Sequence, residues 1–235
     1  MEALNGPAAV LFDMDGTLLD SEKIWDITLE ETARWLGGTV SAAARRAMVG
    51  GSLATSVARL HADVGVAGDA LATGQYLLAR TGERFAGALP WRPGARELLA
   101  EVRAAGLPTA LVTSTERALV ELALGTLGAH HFDTIICGDE VRRPKPDPEP
   151  YLTAIQQLDV DPSRCVVIED SPTGVAAAEA AGCVVVAVPS EVPVPAGPHR
   201  SILATLDGLT VRDLIALMQI RQPHASASVT PSRWP

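Results

Sequence analysis

The chain has 235 residues, enough to bury a substantial hydrophobic core, and its content of 47% hydrophobic and 20% charged residues is typical of a globular protein. The formal net charge of −9 excludes a basic surface that would attract nucleic acid or anionic lipid. No apolar run reaches the roughly 18 residues that a membrane-spanning helix needs.

Short apolar runs predict five β-strands. They lie at residues 8–13, 108–113, 134–137, 165–169 and 183–188. Most are continuously apolar rather than alternating, which indicates a sheet covered on both faces. Helical patterns separate the later runs, and this alternation of strand and helix predicts a parallel sheet packed between helices.

The interval between the first two strands breaks the alternation. Residues 20–88 contain helical patterns and no strand pattern, and they are too many for one crossover. We therefore expect a helical insertion that forms a second, smaller domain. The core then comprises residues 1–19 and 89–222. The polar segment 223–235 is predicted to be a disordered tail.

Two aspartates end the first predicted strand. Side chains at positions i and i+2 of a strand lie on the same face, so Asp13 and Asp15 can point together. Gly16 then allows a sharp turn and a close approach of the backbone to a ligand. Two neighbouring carboxylates repel each other unless one is protonated or a cation lies between them. The pair therefore indicates a binding site rather than a solvated loop.

The next strands also end in polar residues. Ligands bind beyond the carboxyl ends of the strands in open parallel sheets. The candidates there are the hydroxyl residues Thr113, Ser114 and Thr115, the lysine Lys145 between two prolines, and the acids Glu169 and Asp170. Carboxylates are preferred ligands of magnesium, and hydroxyls with an ammonium group bind phosphoryl oxygens. Together they predict a metal-plus-phosphate site.

The order and spacing of these motifs resemble the haloacid dehalogenase superfamily, in particular its phosphatases with a helical cap after the first strand. The matching motifs are DMDGT (13–17), Thr113 in LVTST, Lys145 in RPKPDPEPY and EDSPTGVAAAEAAG (169–182). The resemblance covers nearly the whole chain. It implies a Rossmann-like parallel sheet with helices on both faces plus a small all-helical cap.

The resemblance also implies a mechanism and a role for each site residue. Asp13 would attack phosphorus to form an aspartyl-phosphate, and Asp15 would act as general acid and base. Thr113, Ser114 and Lys145 would bind phosphoryl oxygens. The ligands of a Mg²⁺ ion would be the Asp13 side chain, the Asp15 carbonyl and Asp170, with Glu169 either a ligand or an organiser of Lys145.

Several members of the superfamily remain as alternatives. A dehalogenase lacks the second aspartate, and a phosphonatase needs a cap lysine where this chain has only Lys23, near the start of the insertion. A sugar phosphomutase of the β-phosphoglucomutase type would carry a basic residue where this chain has Leu53 and Ala54. Trp25 in DSEKIW resembles the hexitol-phosphate and 2-deoxyglucose-6-phosphate phosphatases, although packing of the first cap helix also explains it. Arg45, Arg46 and Arg59 either enter the site or lie on solvated faces.

The leading prediction is a magnesium-dependent phosphatase of small phosphorylated metabolites, sugar or polyol phosphates among them. A phospho-accepting receiver domain is a non-enzymatic alternative, which the Asp-x-Asp pair and the insertion disfavour. The start of the chain lacks the pattern of a signal peptide, and its three cysteines show no metal-ligand spacing. We therefore expect a cytoplasmic monomer with reduced, buried cysteines that binds neither nucleic acid nor membrane.

Overall fold

The computed structural model describes residues 6–221, so the predicted disordered tail, 223–235, lies outside the described residues. Six strands are present within residues 6–221. They are β1 (Ala9–Phe12), β2 (Thr109–Val112), β3 (Thr134–Ile136), β4 (Cys165–Glu169), β5 (Val184–Ala187) and β6 (Arg200–Ile202). The five predicted strands are confirmed. The sixth, a three-residue edge strand, is not predicted, because its sequence is short and polar.

The strands form one parallel sheet in the order β3-β2-β1-β4-β5-β6. β1 lies at the centre, where Phe12 is paired with Leu111 of β2 and with Ile168 of β4. The strand order reverses beside β1, so the crevice for a ligand lies at the carboxyl ends of β1, β2 and β4.

The continuously apolar strands are explained by a core on each face of the sheet. Val10 and Phe12 of β1 belong to one buried cluster, whereas Ala9 and Leu11 belong to the other. The helices of the first face are α5 (Ala95–Ala104), α6 (Arg117–Leu127) and α9 (Val211–Arg221), and those of the second are α7 (Glu149–Leu158) and α8 (Pro172–Ala180). The predicted fold class is confirmed.

Four helices fill the interval between β1 and α5. They are α1 (Glu22–Trp35), α2 (Ala42–Met48), α3 (Leu53–Val64) and α4 (Ala70–Phe85). Ser41, Ser52 and Asp69 cap the starts of α2, α3 and α4 by accepting hydrogen bonds from backbone N–H groups. The helices share a hydrophobic cluster separate from the two clusters of the sheet. Thr81 of α4 also donates a buried hydrogen bond to Thr28 of α1. These four helices are called the cap below.

Two short segments connect the cap to the sheet, and they pair with each other. Leu19 and Trp91 form an antiparallel bridge, and the Asp20 N–H donates to the carbonyl of Pro90 at 2.8 Å. The backbone thus enters and leaves the cap at one place. The cap is positioned over the end of β1 by this paired connection.

Cys137, Cys165 and Cys183 are buried and carry free thiols, as predicted. Within residues 6–221, the structure contains no helix that is both long enough and apolar enough to span a membrane.

Candidate active site

The predicted site residues converge at the carboxyl ends of three neighbouring strands. Asp13 directly follows β1, Thr113 directly follows β2, and Glu169 is the last residue of β4, with Asp170 after it. The backbone continues the sheet at these positions: Asp13 N–H donates to the Ile168 carbonyl, and Thr113 N–H to the Ile136 carbonyl, both at 3.0 Å. The side chains of all four residues are buried.

Lys145 connects these strand ends from the loop before α7. Its ammonium group donates to Asp13 Oδ1 at 2.8 Å, to Glu169 Oε1 at 2.7 Å and to the Val112 carbonyl at 2.8 Å. Because a lysine ammonium has three N–H groups, all its donors are engaged. Lys145 therefore holds two acidic side chains at the end of β1 and β4 in fixed positions.

Glu169 accepts hydrogen bonds on both carboxylate oxygens. Oε1 accepts from Lys145 and, at 2.8 Å, from the hydroxyl of buried Tyr151 on α7. Oε2 accepts from the N–H groups of Asp170 and Ser171 and from the Ser171 hydroxyl. The sequence indicated Glu169 but not Tyr151, because the contact between them depends on how α7 packs against the sheet.

Two glycines allow the acids to approach the backbone. A Cβ at Gly174, in the first turn of α8, would lie 1.7 Å from Glu169 Oε1. Gly16 has φ of +78°, and a Cβ there would lie 2.3 Å from Asp170 Oδ2. Any larger residue at these positions would displace a carboxylate, so both glycines are required by the site itself.

The buried charges do not balance. Among the described residues, the charged side chains in the buried class are Asp13, Glu169, Asp170 and Lys145, which leaves two negative charges in excess when all are ionised. Burial raises the pKa of Asp13 to about 7, although Lys145 acts in the opposite direction. Burial, followed by the charges of Asp13 and Glu169, raises the pKa of Asp170 well above its usual range. Such a cluster calls for an additional cation.

The geometry of the acids fits a divalent metal ion. Asp13, Glu169 and Asp170 each offer a carboxylate oxygen, and these oxygens lie within 4.8 Å of one another. Oδ2 of Asp13 accepts no hydrogen bond from any described residue, whereas both oxygens of Glu169 are occupied. Oxygen donors of this kind suit magnesium. Asp13 and Asp170 are therefore better placed as ligands than Glu169.

Asp15 lies between the strand ends and the cap. Its Oδ1 accepts hydrogen bonds from the Ser21 hydroxyl and, at 3.0 Å, from the indole N–H of Trp25. Its Oδ2 accepts from the Thr115 hydroxyl at 2.6 Å. Trp25 was predicted as a feature of the hinge, but its contact with Asp15 was not predicted.

A cavity of about 110 Å³ opens above these residues, between the sheet and the cap. Asp13, Asp15, Thr113, Ser114 and Lys145 line its floor. The apolar part of its cap wall consists of Trp25, Leu29, Met48, Val49, Leu53, Leu77 and Leu78. The predicted catalytic and phosphate-binding residues are thus brought together at one cavity.

Arg45 is the cap arginine that lines this cavity, and it is already paired. Its guanidinium forms an ion pair with Glu30, a second with Asp26 at 3.6 Å, and a hydrogen bond to the Asp26 carbonyl at 3.2 Å. The side chains of Arg46 and Arg59 do not line the cavity. Among the described residues, the cap wall therefore has no positively charged side chain that is not already in an ion pair.

Acidic residues extend around the edge of the cavity. Glu116, at the start of α6, lines it, and burial together with the neighbouring Asp139 raises the pKa of Glu116 to about 7. Glu22 and Glu191 also line it, and burial raises the pKa of Glu22, which accepts a hydrogen bond from Ser190. The cavity is suited to neutral or hydroxyl-rich groups rather than to a second anion.

The cap contacts the sheet directly over the cavity. The Ser114 hydroxyl donates to the Gly50 carbonyl at 3.1 Å. Gly50 has φ of +68°, and a Cβ there would lie 2.5 Å from the Ser171 hydroxyl oxygen. The Ser114 side chain is thus used to hold the cap. Only its backbone N–H is left for the predicted contact with a phosphoryl group.

Comparison with known proteins agrees with this geometry. The model of the haloacid dehalogenase-like hydrolase family matches residues 7–182. A phosphorylated carbohydrates phosphatase from Thermotoga maritima is 34% identical over 176 residues, 74% of this chain and 81% of that protein. Hexitol phosphatase A from Escherichia coli is 31% identical over 196 residues, 78% of this chain and 84% of that protein.

A solved structure is similar over its whole length. CbbY from Rhodobacter sphaeroides, a mutant crystallised in complex with xylulose-(1,5)bisphosphate, superposes with a TM-score of 0.79 at 29% identity. The match covers 88% of this chain and 99% of that chain. The family model and these relatives confirm the resemblance that the motifs indicated. The chain belongs to the haloacid dehalogenase-like hydrolase family.

Proposed function

We propose that this protein is a magnesium-dependent phosphatase that hydrolyses phosphomonoesters of small sugars or polyols through an aspartyl-phosphate on Asp13. One observation carries the proposal. A buried carboxylate, Asp13, lies at the floor of the cavity with Lys145 on one oxygen, no described residue donating to the other, and two further acids beside it. The predicted enzyme class, phosphoric monoester hydrolase, agrees with the family and with the two relatives named as phosphatases.

In the proposed first step, a carboxylate oxygen of Asp13 forms a bond to phosphorus while the bond from phosphorus to the leaving oxygen breaks. Asp15 supplies the proton that the leaving oxygen takes up. In the second step, a water oxygen forms a bond to phosphorus while the bond from phosphorus to the Asp13 oxygen breaks, and a proton of the water passes to Asp15. Inorganic phosphate is released and both aspartates are restored. Both residues line the cavity, as this sequence of steps requires.

The phosphoryl group would be held by residues that follow β2 and by Lys145 from the loop before α7. Thr113 Oγ1 accepts from the Thr115 N–H at 3.1 Å, so its own O–H is available to donate to a phosphoryl oxygen. Lys145 already uses its three N–H groups, and we propose that it contributes its positive charge while keeping Asp13 in place. The Ser114 N–H completes the contacts.

We propose that Asp13, Asp170 and the Asp15 carbonyl hold the magnesium ion, with Glu169 as the residue that fixes Lys145. The support is the contrast between the occupied oxygens of Glu169 and the free Oδ2 of Asp13. When bound, the ion would withdraw negative charge from the phosphoryl oxygens in the transition state.

A hydrolase is favoured over a phosphomutase because a mutase substrate keeps a second phosphate that must be bound. Arg45 is paired with Glu30 and Asp26, Leu53 is apolar, and Glu116 is acidic. These side chains disfavour a second anion. We therefore propose that the phosphomutase alternative is not the function.

We also propose that the cap, residues 20–88, is a separate domain which closes over the core. Its own hydrophobic cluster and the paired connections at Leu19 and Trp91 support this division. The cytoplasmic location and the monomeric state stay predictions.

An assay of phosphate release against a panel of sugar and polyol phosphates tests the function. We expect release from monophosphates in the presence of Mg²⁺, and its loss after addition of EDTA. Equal release with EDTA would contradict the role of the metal. Conversion of a sugar 1-phosphate to the 6-phosphate without release would instead establish the phosphomutase.

Magnesium should also stabilise the folded protein. A ligand at a hundred times its dissociation constant adds about 2.7 kcal/mol to the free energy of unfolding. We expect Mg²⁺ to raise the melting temperature of the unmodified protein and to have a much smaller effect on Asp170→Asn. The exposed Asp207 provides a matched control, and Asp207→Asn should respond to Mg²⁺ like the unmodified protein. An undiminished response of Asp170→Asn would remove Asp170 from the metal site.

A further inference from the structure

Three donors hold the side chain of Asp15, and they come from both domains. Ser21 and Trp25 belong to the start of the cap, whereas Thr115 belongs to the loop after β2. Ser21 and Thr115 are buried and Trp25 is half-buried. The carboxyl group proposed as general acid is therefore attached to the cap at one oxygen and to the core at the other.

The indole ring of Trp25 is fixed in its own place. It packs against both the main cluster of the sheet and the cluster of the cap. Its ring lies edge-to-face with Phe85 at the end of α4, with centroids 6.2 Å apart and an interplanar angle of 73°. The N–H that donates to Asp15 thus belongs to a ring of α1 that is packed between α4 and the sheet.

The chemistry of the three donors differs. A hydroxyl can donate or accept a hydrogen bond, but an indole N–H can only donate. Asp15 Oδ1 therefore accepts from the indole N–H at 3.0 Å, and the direction of this hydrogen bond is fixed. The contact of Oδ2 with Thr115 is not fixed in direction, because a hydroxyl can either donate or accept a hydrogen bond.

We propose that Trp25 is a positioning residue for Asp15: its indole N–H holds Oδ1 and thereby fixes the orientation of the carboxyl group at the cavity. The proposal rests on the assignment of Asp15 as general acid in the proposed function. Because Trp25 lies on the first helix of the cap, Asp15 is oriented when the cap is packed against the core. When the cap moves away from the core, Asp15 Oδ1 loses this donor.

The test compares two leaving groups. The measured quantity is kcat/KM, which reports the first step. In that step the alcohol that leaves a sugar phosphate needs the proton of Asp15, whereas p-nitrophenolate is a good leaving group and needs little protonation. Trp25→Phe keeps an aromatic ring against Phe85 and removes the N–H. We expect it to lower kcat/KM for the sugar phosphate roughly tenfold more than for p-nitrophenyl phosphate, the equivalent of one hydrogen bond.

The chain offers a matched control on the same helix. Trp35, at the end of α1, is 49% exposed and stacks on Tyr76 with ring centroids 4.7 Å apart. Trp35→Phe should leave the ratio of the two kcat/KM values unchanged. A Trp25→Phe variant that lowers both values equally, or neither, would overturn the proposal.

Two further variants keep the result decisive. Asp15→Asn should show the same selective loss, and to a greater extent. If Asp15→Asn is not selective, the proposed function fails; if only Trp25→Phe is not selective, the positioning role alone fails. Should Trp25→Phe not fold, Ser21→Ala, which removes the other donor to Oδ1, must show a selective loss in the same direction, and an unchanged ratio overturns the proposal.

Discussion

Asp13→Asn is expected to lower kcat by at least about 10⁴-fold, because an amide oxygen cannot form the aspartyl-phosphate. The measurement is phosphate release from a sugar monophosphate with Mg²⁺ at saturating substrate. The loss should appear equally with p-nitrophenyl phosphate, since a better leaving group does not replace the missing nucleophile. A variant that keeps full activity would remove Asp13 from the mechanism.

The Asp13→Asn variant should stay folded, which separates lost chemistry from lost structure. The pKa of Asp13 is raised to about 7, so ionisation of Asp13 opposes folding as the pH rises through this value. Asparagine resembles the uncharged carboxyl group, and its side-chain oxygen can still accept from Lys145. In the absence of metal, we expect a melting temperature at about pH 8 no lower than that of the unmodified protein. A large decrease would mean that Asp13 is chiefly structural.

Lys145→Met is expected to reduce the free energy of unfolding by about 3–5 kcal/mol, because it leaves buried carboxylates without their cation. Lys145 donates to Asp13, Glu169 and the Val112 carbonyl, and its side chain is 2% exposed. The charges of Asp13 and Glu169 outweigh the effect of burial and raise its pKa, so the ammonium stays charged. Urea unfolding in EDTA measures the loss. Phosphatase activity should disappear as well.

The destabilisation of Lys145→Met should depend on pH in a defined direction. Without Lys145, nothing in the cluster lowers the pKa values of Asp13 and Asp170, which burial already raises. Groups with a raised pKa in the folded state favour folding when protonated, so the loss should be smaller at about pH 5 than at about pH 8. An equal loss at both pH values would contradict this explanation.

The chain's other lysine is the control for Lys145→Met. The Lys23 side chain is 78% exposed and pairs with Asp20 at 3.5 Å. Because exposed ion pairs contribute little, Lys23→Met should change the free energy of unfolding by no more than about 0.5 kcal/mol. A comparable loss in both variants would show that removal of any lysine, rather than of the buried one, causes the effect.

The sheet and the floor of the site were predictable because both follow from local patterns. Continuously apolar strands indicate two covered faces, and parallel strands bring their carboxyl ends to the same edge. Asp13, Thr113 and Glu169 were therefore expected at the same edge of the sheet once the strands were identified. The edge strand β6 was not predicted, because three partly or fully exposed residues, only one of them apolar, leave no apolar pattern.

The cap side of the site was less predictable because its contacts depend on helix packing. Tyr151 reaches Glu169 only through the docking of α7 on the sheet, and Trp25 reaches Asp15 only through the entry angle of α1. The pairing of Arg45 with Glu30 likewise requires α2 to lie beside α1. Such contacts between distant segments have no signature in a single sequence.

The stereochemical course at phosphorus tests the aspartyl-phosphate most directly. A phosphorothioate monoester made chiral with oxygen isotopes is hydrolysed in isotopically labelled water, and the configuration of the released thiophosphate is determined. Each displacement inverts phosphorus, so transfer to Asp13 followed by transfer to water predicts net retention. Net inversion would mean direct attack by water and would contradict the account.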